Sequence, residues 1–390
     1  LETGVRVPGD QVTDDVRRDY LAFLVDQDMR TTARLVRLLK AEIGCRMPVS
    51  DTQVTYGGAG GVLREATLSD YIDIHGYWEH PSYTRHERGW VTAFRIPNTT
   101  QTAAVGGTLT HMALHRVRGF PLSVSEYNVP APNDHGAELF PMLALMAAFQ
   151  DWDALYSYTY RDFGKDYENT AIKRYFHLIG RANVLVHVPF GAHVFRQAAV
   201  APLPLGLTLG LPRAAVPELV RDWPRLSALW ASMGVDAAAP WFRRVELALT
   251  DAVEPSASGD GVVAAGLRHS SDGRLAWHPT DPAGAWLSYH ADSAALLVGH
   301  VGGRSFDLGG MRLAVVARDW PRGLPAYACI TLTALDGLPL AESRRILLAA
   351  SARTENQRMA WNADRTSLEG QGWGEGPTLS EAVPLTLDLP

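Results

Sequence analysis

Cysteine is nearly absent. The 390 residues hold two, Cys45 and Cys329, too few and too far apart in sequence for a disulfide framework or a zinc site. No apolar run approaches the ~20 residues that a membrane-spanning helix needs. Lysine and arginine form no block, and the formal net charge is −6, which argues against a nucleic-acid footprint or a polybasic membrane anchor. Small-molecule or neutral polymeric substrates fit that charge better. The opening LETGVRVPGD has no charged segment followed by an apolar one, so no signal peptide is legible there. The compartment stays open, an exported setting being favoured if the chain belongs to a longer precursor.

Several motifs are missing as well. The glycine-rich YGGAGG at 56–61 lacks the Lys-Ser/Thr of a phosphate loop. No GxSxG elbow supports Ser-His-Asp catalysis. Asp73, His75, Glu79 and His80 lie on a strand and its loop, without the i, i+4 histidine pair of a zinc enzyme. Neither a metal nor a cofactor is therefore expected. No repeat of 20 to 50 residues is apparent.

What is present is a globular composition, 46% hydrophobic and 20% charged, which speaks against disorder. The length allows two domains or one large one. Residues 13–43 read as a helix, with Thr13 as its cap and Leu35, Leu38, Leu39 and Ile43 as an apolar stripe. Strands are expected near 45–51, 70–77, 121–126 and 153–160, and helices at 107–117, 136–150 and 169–186. This alternation is the pattern of parallel βα units. The long polar segment 79–104 that interrupts it is of a length that usually serves function.

Beyond a Pro-rich stretch and a helical segment at 214–234, short alternating runs such as AWLSYHA, SAALLVGHV and YACITLTAL are separated by Gly, Asp and Pro. They predict an antiparallel sandwich or barrel. The expected organisation is α/β: four βα units in 1–188, a linker and helical segment in 189–245, and an antiparallel β-sandwich-like domain in 246–390. Four parallel strands do not close a (β/α)8 barrel, and half a barrel leaves open edges and an uncovered inner face. The units are either one half of a barrel completed by other chain, or an open doubly wound sheet.

Three motifs bear on this choice. SEYNVPAPN (125–133) resembles the end of the seventh strand of the clan A glycoside hydrolases, a large group of retaining (β/α)8 enzymes. YIDIHGYWEHP (71–81) resembles their sixth strand, and QDWDALYSYTY (150–160) their eighth. The C-terminal run from Ile330 and the closing GWGEGPTLSEAVPLTL are similar to the β region of cellulase-like bacterial members. The resemblance implies the second half of a (β/α)8 barrel that hydrolyses β-linked oligo- or polysaccharides with retention. It also implies a partner, an N-terminal barrel half on the same precursor or a separate chain. The family carries its acid/base Glu after an Asn on the fourth strand, and this chain has no Asn-Glu pair.

Residue by residue, Glu126 is the expected nucleophile. His75 and Tyr77 share a strand face with Tyr71 and Asp73, and are expected to hydrogen-bond Glu126 or sugar hydroxyls. Trp78 and Trp90, with His80 and Tyr83, are loop aromatics of the kind that bind apolar sugar faces. Asn128, Tyr158, Tyr160 and Gln53 complete the expected substrate contacts. Two other functions remain open at this stage. One is a non-catalytic carbohydrate-binding protein derived from a glycosidase; the other is an open-sheet enzyme unrelated to sugars.

Overall fold

Helix α1 (Asp14–Arg37) begins where the Thr13 hydroxyl accepts the Val16 N–H at 3.4 Å. Asp14 and Asp15 in its first turn, and Arg34 and Arg37 in its last, complement the helix dipole. A π-turn, Leu38–Glu42, ends it. Thr32 is its one buried residue among those described, while Val16, Phe23, Leu24 and Leu35 are exposed, as are Leu38 and Ile43 beyond it. Most of the apolar stripe read from the sequence thus faces solvent, Leu39 being partly covered. The computed structural model describes residue 9 and residues 12–85, 91–162, 164, 167–259, 268–281, 284–320, 323–370 and 372–389.

Helix α2 (Ala59–Leu68) leads into strand β1 (Ile72–Tyr77). A hairpin of β2 (Ser82–Arg85) and β3 (Val91–Arg95) follows, then α3 (Thr108–Ala113), β4 (Leu122–Asn128), α4 (Leu139–Gln150) and β5 (Ala154–Ser157). Strands β1, β4 and β5 form a parallel sheet with β4 in the middle. Helix α4 is apolar all round, and only Phe140 of its residues escapes burial, as expected for a helix in the interior. Its last residue, the buried Gln150, donates to Pro240 O at 2.6 Å and accepts from Val245 N at 3.0 Å, tying the helix to the following region. On the other side of β1, a Cβ on Gly76 would collide with the Met112 side chain, so glycine is what lets α3 approach this strand.

Several expected elements differ. Residues 45–51 form no strand; Pro48 has no N–H to give a ladder. The segment is instead held beside β1 by Val49 N to Asp70 Oδ2 (2.7 Å) and Asp70 N to Val49 O (2.8 Å). Of the four parallel strands expected in this region, three are therefore observed, and the described residues form no closed barrel. Residues 169–186 are helical only in α5 (Ala182–Leu185). Gly180 takes φ +81°, and the backbone of 176–179 pairs with 159–160 through Thr159 N to Phe176 O (2.9 Å) and Leu178 N to Thr159 O (3.0 Å). Ile172 and Ile179 are buried all the same. The segment 79–104 contains the β2–β3 hairpin, and the helix expected at 107–117 is confined to α3.

Helix α6 (Val188–Arg196), strand β6 (Leu205–Pro212), helices α7 (Val216–Asp222) and α8 (Leu226–Ser232), and strands β7 (Arg244–Thr250) and β8 (Ser256–Gly259) come next. Trp223, Pro224 and Arg225 separate the two helices where one helical stretch was expected. Strand β6 runs parallel to β7 and antiparallel to β8, so one sheet crosses the boundary expected at 245. The remaining chain is strands: β9 (Arg268–His269), β10 (Leu275–His278), β11 (Trp286–His290), β12 (Ala294–His300), β13 (Ser305–Asp307) and β14 (Arg312–Val315). It ends with β15 (Tyr327–Ala334), β16 (Ile346–Ser351), β17 (Thr354–Gln357), β18 (Glu375–Ser380) and β19 (Leu385–Asp388). Six of them form an antiparallel sheet in the order β16-β15-β12-β11-β10-β9; β13-β14-β19 form another, and β17 pairs with β18.

Period-2 alternation assigns the two faces of the large sheet. On β12, Ala294, Leu296 and Val298 join a core that also contains α4, α6 and β6 side chains. Ala295 and Leu297 face a second cluster with Leu313 and Val315 of β14. A strand buried on both sides reads as a continuous apolar run, which is why AALLV carries no alternation in sequence. The chain is a mixed α/β structure in which short helices and a small parallel sheet share one core with extensive antiparallel sheet.

Candidate active site

The parallel pairing of β1 and β4 builds the site. Ile72 to Ile74 pair with Leu122 to Val124 in step, but His75 pairs with Glu126, so Ser125 is an extra residue on β4. Bulges of this kind bend a strand and re-aim its side chains. Here Ser125 and Glu126, although consecutive, both reach the polar side chains of β1. Ser125 donates to Asp73 Oδ2 at 2.5 Å, and Ser123 donates to Asp73 Oδ1. One residue on, the Tyr77 hydroxyl donates to Glu126 Oε2, and His75 Nδ1 stands 3.5 Å from the same oxygen. His75 Nε2 is 3.6 Å from Asp73 Oδ2. The structure thus brings Asp73, His75 and Tyr77 of β1 together with Glu126.

The carboxylate is accessible: Glu126 keeps 32% of its side-chain surface exposed and His75 27%. The backbone beneath is firm. Trp78 N donates to Asn128 O at 2.9 Å, closing the strand ends, and Thr108 Oγ1 donates to Tyr77 O at 3.0 Å. The Tyr77 ring packs on Phe176 at 5.0 Å and on His80 at 5.4 Å. Burial, then the bond to the Glu126 carboxylate, pushes the Tyr77 phenol far above its ordinary pKa, so it remains a proton donor to that bond. Beneath Asp73 lies a second buried carboxyl: Glu65 Oε2 accepts Asp73 N at 2.8 Å, and burial raises Glu65 to about 8.

The other expected contacts separate into two groups. Tyr158 is half-buried, edge-on to Phe176 at 5.9 Å, and Tyr160 is half-exposed. Trp78 is mostly buried, donates to Thr99 O at 2.9 Å, and lines a cleft of about 600 Å³. Asn128 and Gln53, by contrast, are interior residues. Asn128 has no exposed surface; its amide donates to Tyr158 O and to Phe176 O (2.7 Å), and its carbonyl accepts from Arg181 at 3.1 Å. It clamps the end of β4 to the 158–181 segment and has nothing left to offer a ligand. Gln53 caps the turn at 54–57, accepting Thr55 N at 2.9 Å. Trp90 lies outside the described residues.

Ser123, Ser125 and Phe176 are not among the candidates read from the sequence. The alternation in PLSVSE carries a signal for the serines, since 123 and 125 share a parity; Phe176 arrives from a segment misread as helix. A further groove of about 700 Å³ runs along the strand starts, lined by Tyr71, Ser123, Ser125 and Tyr156.

No helix among the described residues is long and apolar enough to cross a membrane, and none of their His, Cys, Asp and Glu side chains form a group of three or more able to hold a metal ion. Neither a protein-family model, nor a characterised protein, nor a solved structure matches the chain.

Proposed function

We propose that this chain is the nucleophile-bearing part of a retaining β-glycoside hydrolase, forming the second half of a (β/α)8 barrel and acting with an N-terminal half that supplies the acid/base carboxyl. The observation that carries this reading is the convergence of Tyr77 and His75 on one oxygen of a half-exposed Glu126 at the C-terminal end of parallel strands, where barrel enzymes hold their chemistry. The free carboxylate oxygen attacks the anomeric carbon as the glycosidic C–O bond breaks, and the leaving oxygen takes a proton from the second carboxyl. Water then cleaves the glycosyl ester, with that second carboxyl acting as base. The Tyr77 donor holds the Glu126 carboxylate in one orientation.

Neither nearby acid serves as the second carboxyl. Both Asp73 oxygens accept serine hydroxyls, and Glu79 is engaged by Thr99 and Asn133. Support for the N-terminal half comes from the solvent-facing apolar side of α1, the outer positions of β1 and β5 in their sheet among the described residues, and the groove along the strand starts. The chain is expected to be inactive alone. When it is combined with its N-terminal half, a 2-fluoro glycoside inactivator should label the peptide containing Glu126, and Glu126→Gln should abolish turnover. Labelling elsewhere, or full activity of Glu126→Gln, rejects the assignment.

A further inference from the structure

The 600 Å³ cleft beside Trp78 is not part of the Glu126 centre, but it borders it. Its lining comes from four places: Thr55 and Tyr56 before α2, Trp78 and Glu79 after β1, His111 of α3, and Arg225 at the α7–α8 corner. Tyr56 is 76% exposed, leaving its ring open to a ligand. Thr108, which also lines the cleft, donates to Tyr77 O at 3.0 Å, so the cleft adjoins the strand end that carries Tyr77.

The charge inside the cleft is unbalanced. Among the described lining residues Glu79 is the one carboxyl. Its oxygens accept from Thr99 N at 3.0 and 3.1 Å and from Asn133 Nδ2 at 3.1 Å, and burial raises its pKa. Arg225 is exposed and has no ion-pair partner among the described residues. Its field is felt across the cleft, since burial and then Arg225 hold His111 below the ordinary imidazole range. A cationic guanidinium that shares a cleft with an aromatic ring, hydroxyls and an imidazole suits a hydroxylated ring carrying an anionic group.

We propose that this cleft is a second saccharide subsite, next to the one at Glu126, for a sugar unit that bears a carboxylate. Resting on the glycosidase reading of Glu126, this makes the substrate an acidic β-glycan, with Arg225 pairing the uronate and Tyr56 covering the ring.

The cleft lies wholly within this chain, so the full chain is the material for the test. Methyl β-D-glucuronide and methyl β-D-glucoside are titrated into the wild type, Arg225→Gln and Glu126→Gln, with binding followed by calorimetry or ligand NMR. Wild type should bind the glucuronide roughly fivefold or more tightly than the glucoside, the scale of one charge-assisted contact at a rim. Arg225→Gln should abolish that preference, and Glu126→Gln should keep it. Equal binding of the two glycosides, binding of neither, or an unchanged preference in Arg225→Gln overturns the subsite. Loss of the preference in Glu126→Gln overturns its separateness. Labelling of Glu126 by the fluorosugar is read independently, so a wrong nucleophile and a wrong subsite give different patterns.

Discussion

Tyr77 and Glu126, 49 residues apart in sequence, meet as a hydroxyl-to-carboxylate hydrogen bond across the ends of β1 and β4. The contact depends on the extra residue Ser125, because the pairing that precedes it would place Ser125, not Glu126, opposite His75.

Tyr77→Phe removes the donor and leaves the ring packing on Phe176 and His80. With the N-terminal half present, kcat for an aryl β-glycoside should fall roughly tenfold to a hundredfold, as expected for one charge-assisted hydrogen bond of about 1.5–3 kcal/mol. The melting temperature should change little. Wild-type kcat in the variant counts against the Tyr77 role.

Asn128→Ala should unfold the protein more easily without altering what it binds. The change strips Arg181 of the Asn128 carbonyl and leaves Tyr158 O and Phe176 O without this donor. Arg181 is buried, and its pKa is held down to about 10 by that burial. A loss of about 2–4 kcal/mol by urea denaturation is expected. Unchanged stability with lost saccharide binding would return Asn128 to the substrate contacts.

Stability should decline as pH rises from about 4.5 through about 8. Glu65 and Glu138 are fully buried, and burial raises each to about 8 despite hydrogen bonds to Asp73 N and to Gln101 N and Thr100 Oγ1 that favour the charge. The folded state therefore holds protons that the unfolded state has released over this interval. Their contribution is complete below the unfolded pKa and lost as pH passes the folded one, with a slope of up to about 1.4 kcal/mol per pH unit for each group. Denaturant midpoints between pH 5 and 8.5 measure it, and Glu138→Gln, neutral at every pH, should flatten the curve. A wild-type curve that rises over this range contradicts the prediction.

Gly76→Ala should cost about 1–3 kcal/mol, the usual penalty of overpacking, because its Cβ would occupy the space of Met112 and Thr108. Gly76→Ala combined with Met112→Ala should recover part of the loss in thermal melts. Additive losses in the double variant would place the strain elsewhere.

The sequence by itself determined the local order of β1, β4, α4 and β5 and the shared face of Asp73, His75 and Tyr77, because period-2 and period-3.6 patterns record which side of an element is buried. The apolar stripe of α1 was legible in the same way, though not its exposure, since periodicity names a face and not what covers it. Strand 45–51 and helix 169–186 failed because Pro48 and Gly180 impose backbone geometry that side-chain pattern does not reveal. Only the tertiary structure decided that Asn128 is buried under Arg181 and that Arg225 comes to the cleft beside Trp78. It alone decided that the bulge at Ser125 turns Glu126 towards Tyr77. These are contacts between segments far apart in sequence, and their geometry is set by how strands register and helices pack across the whole core.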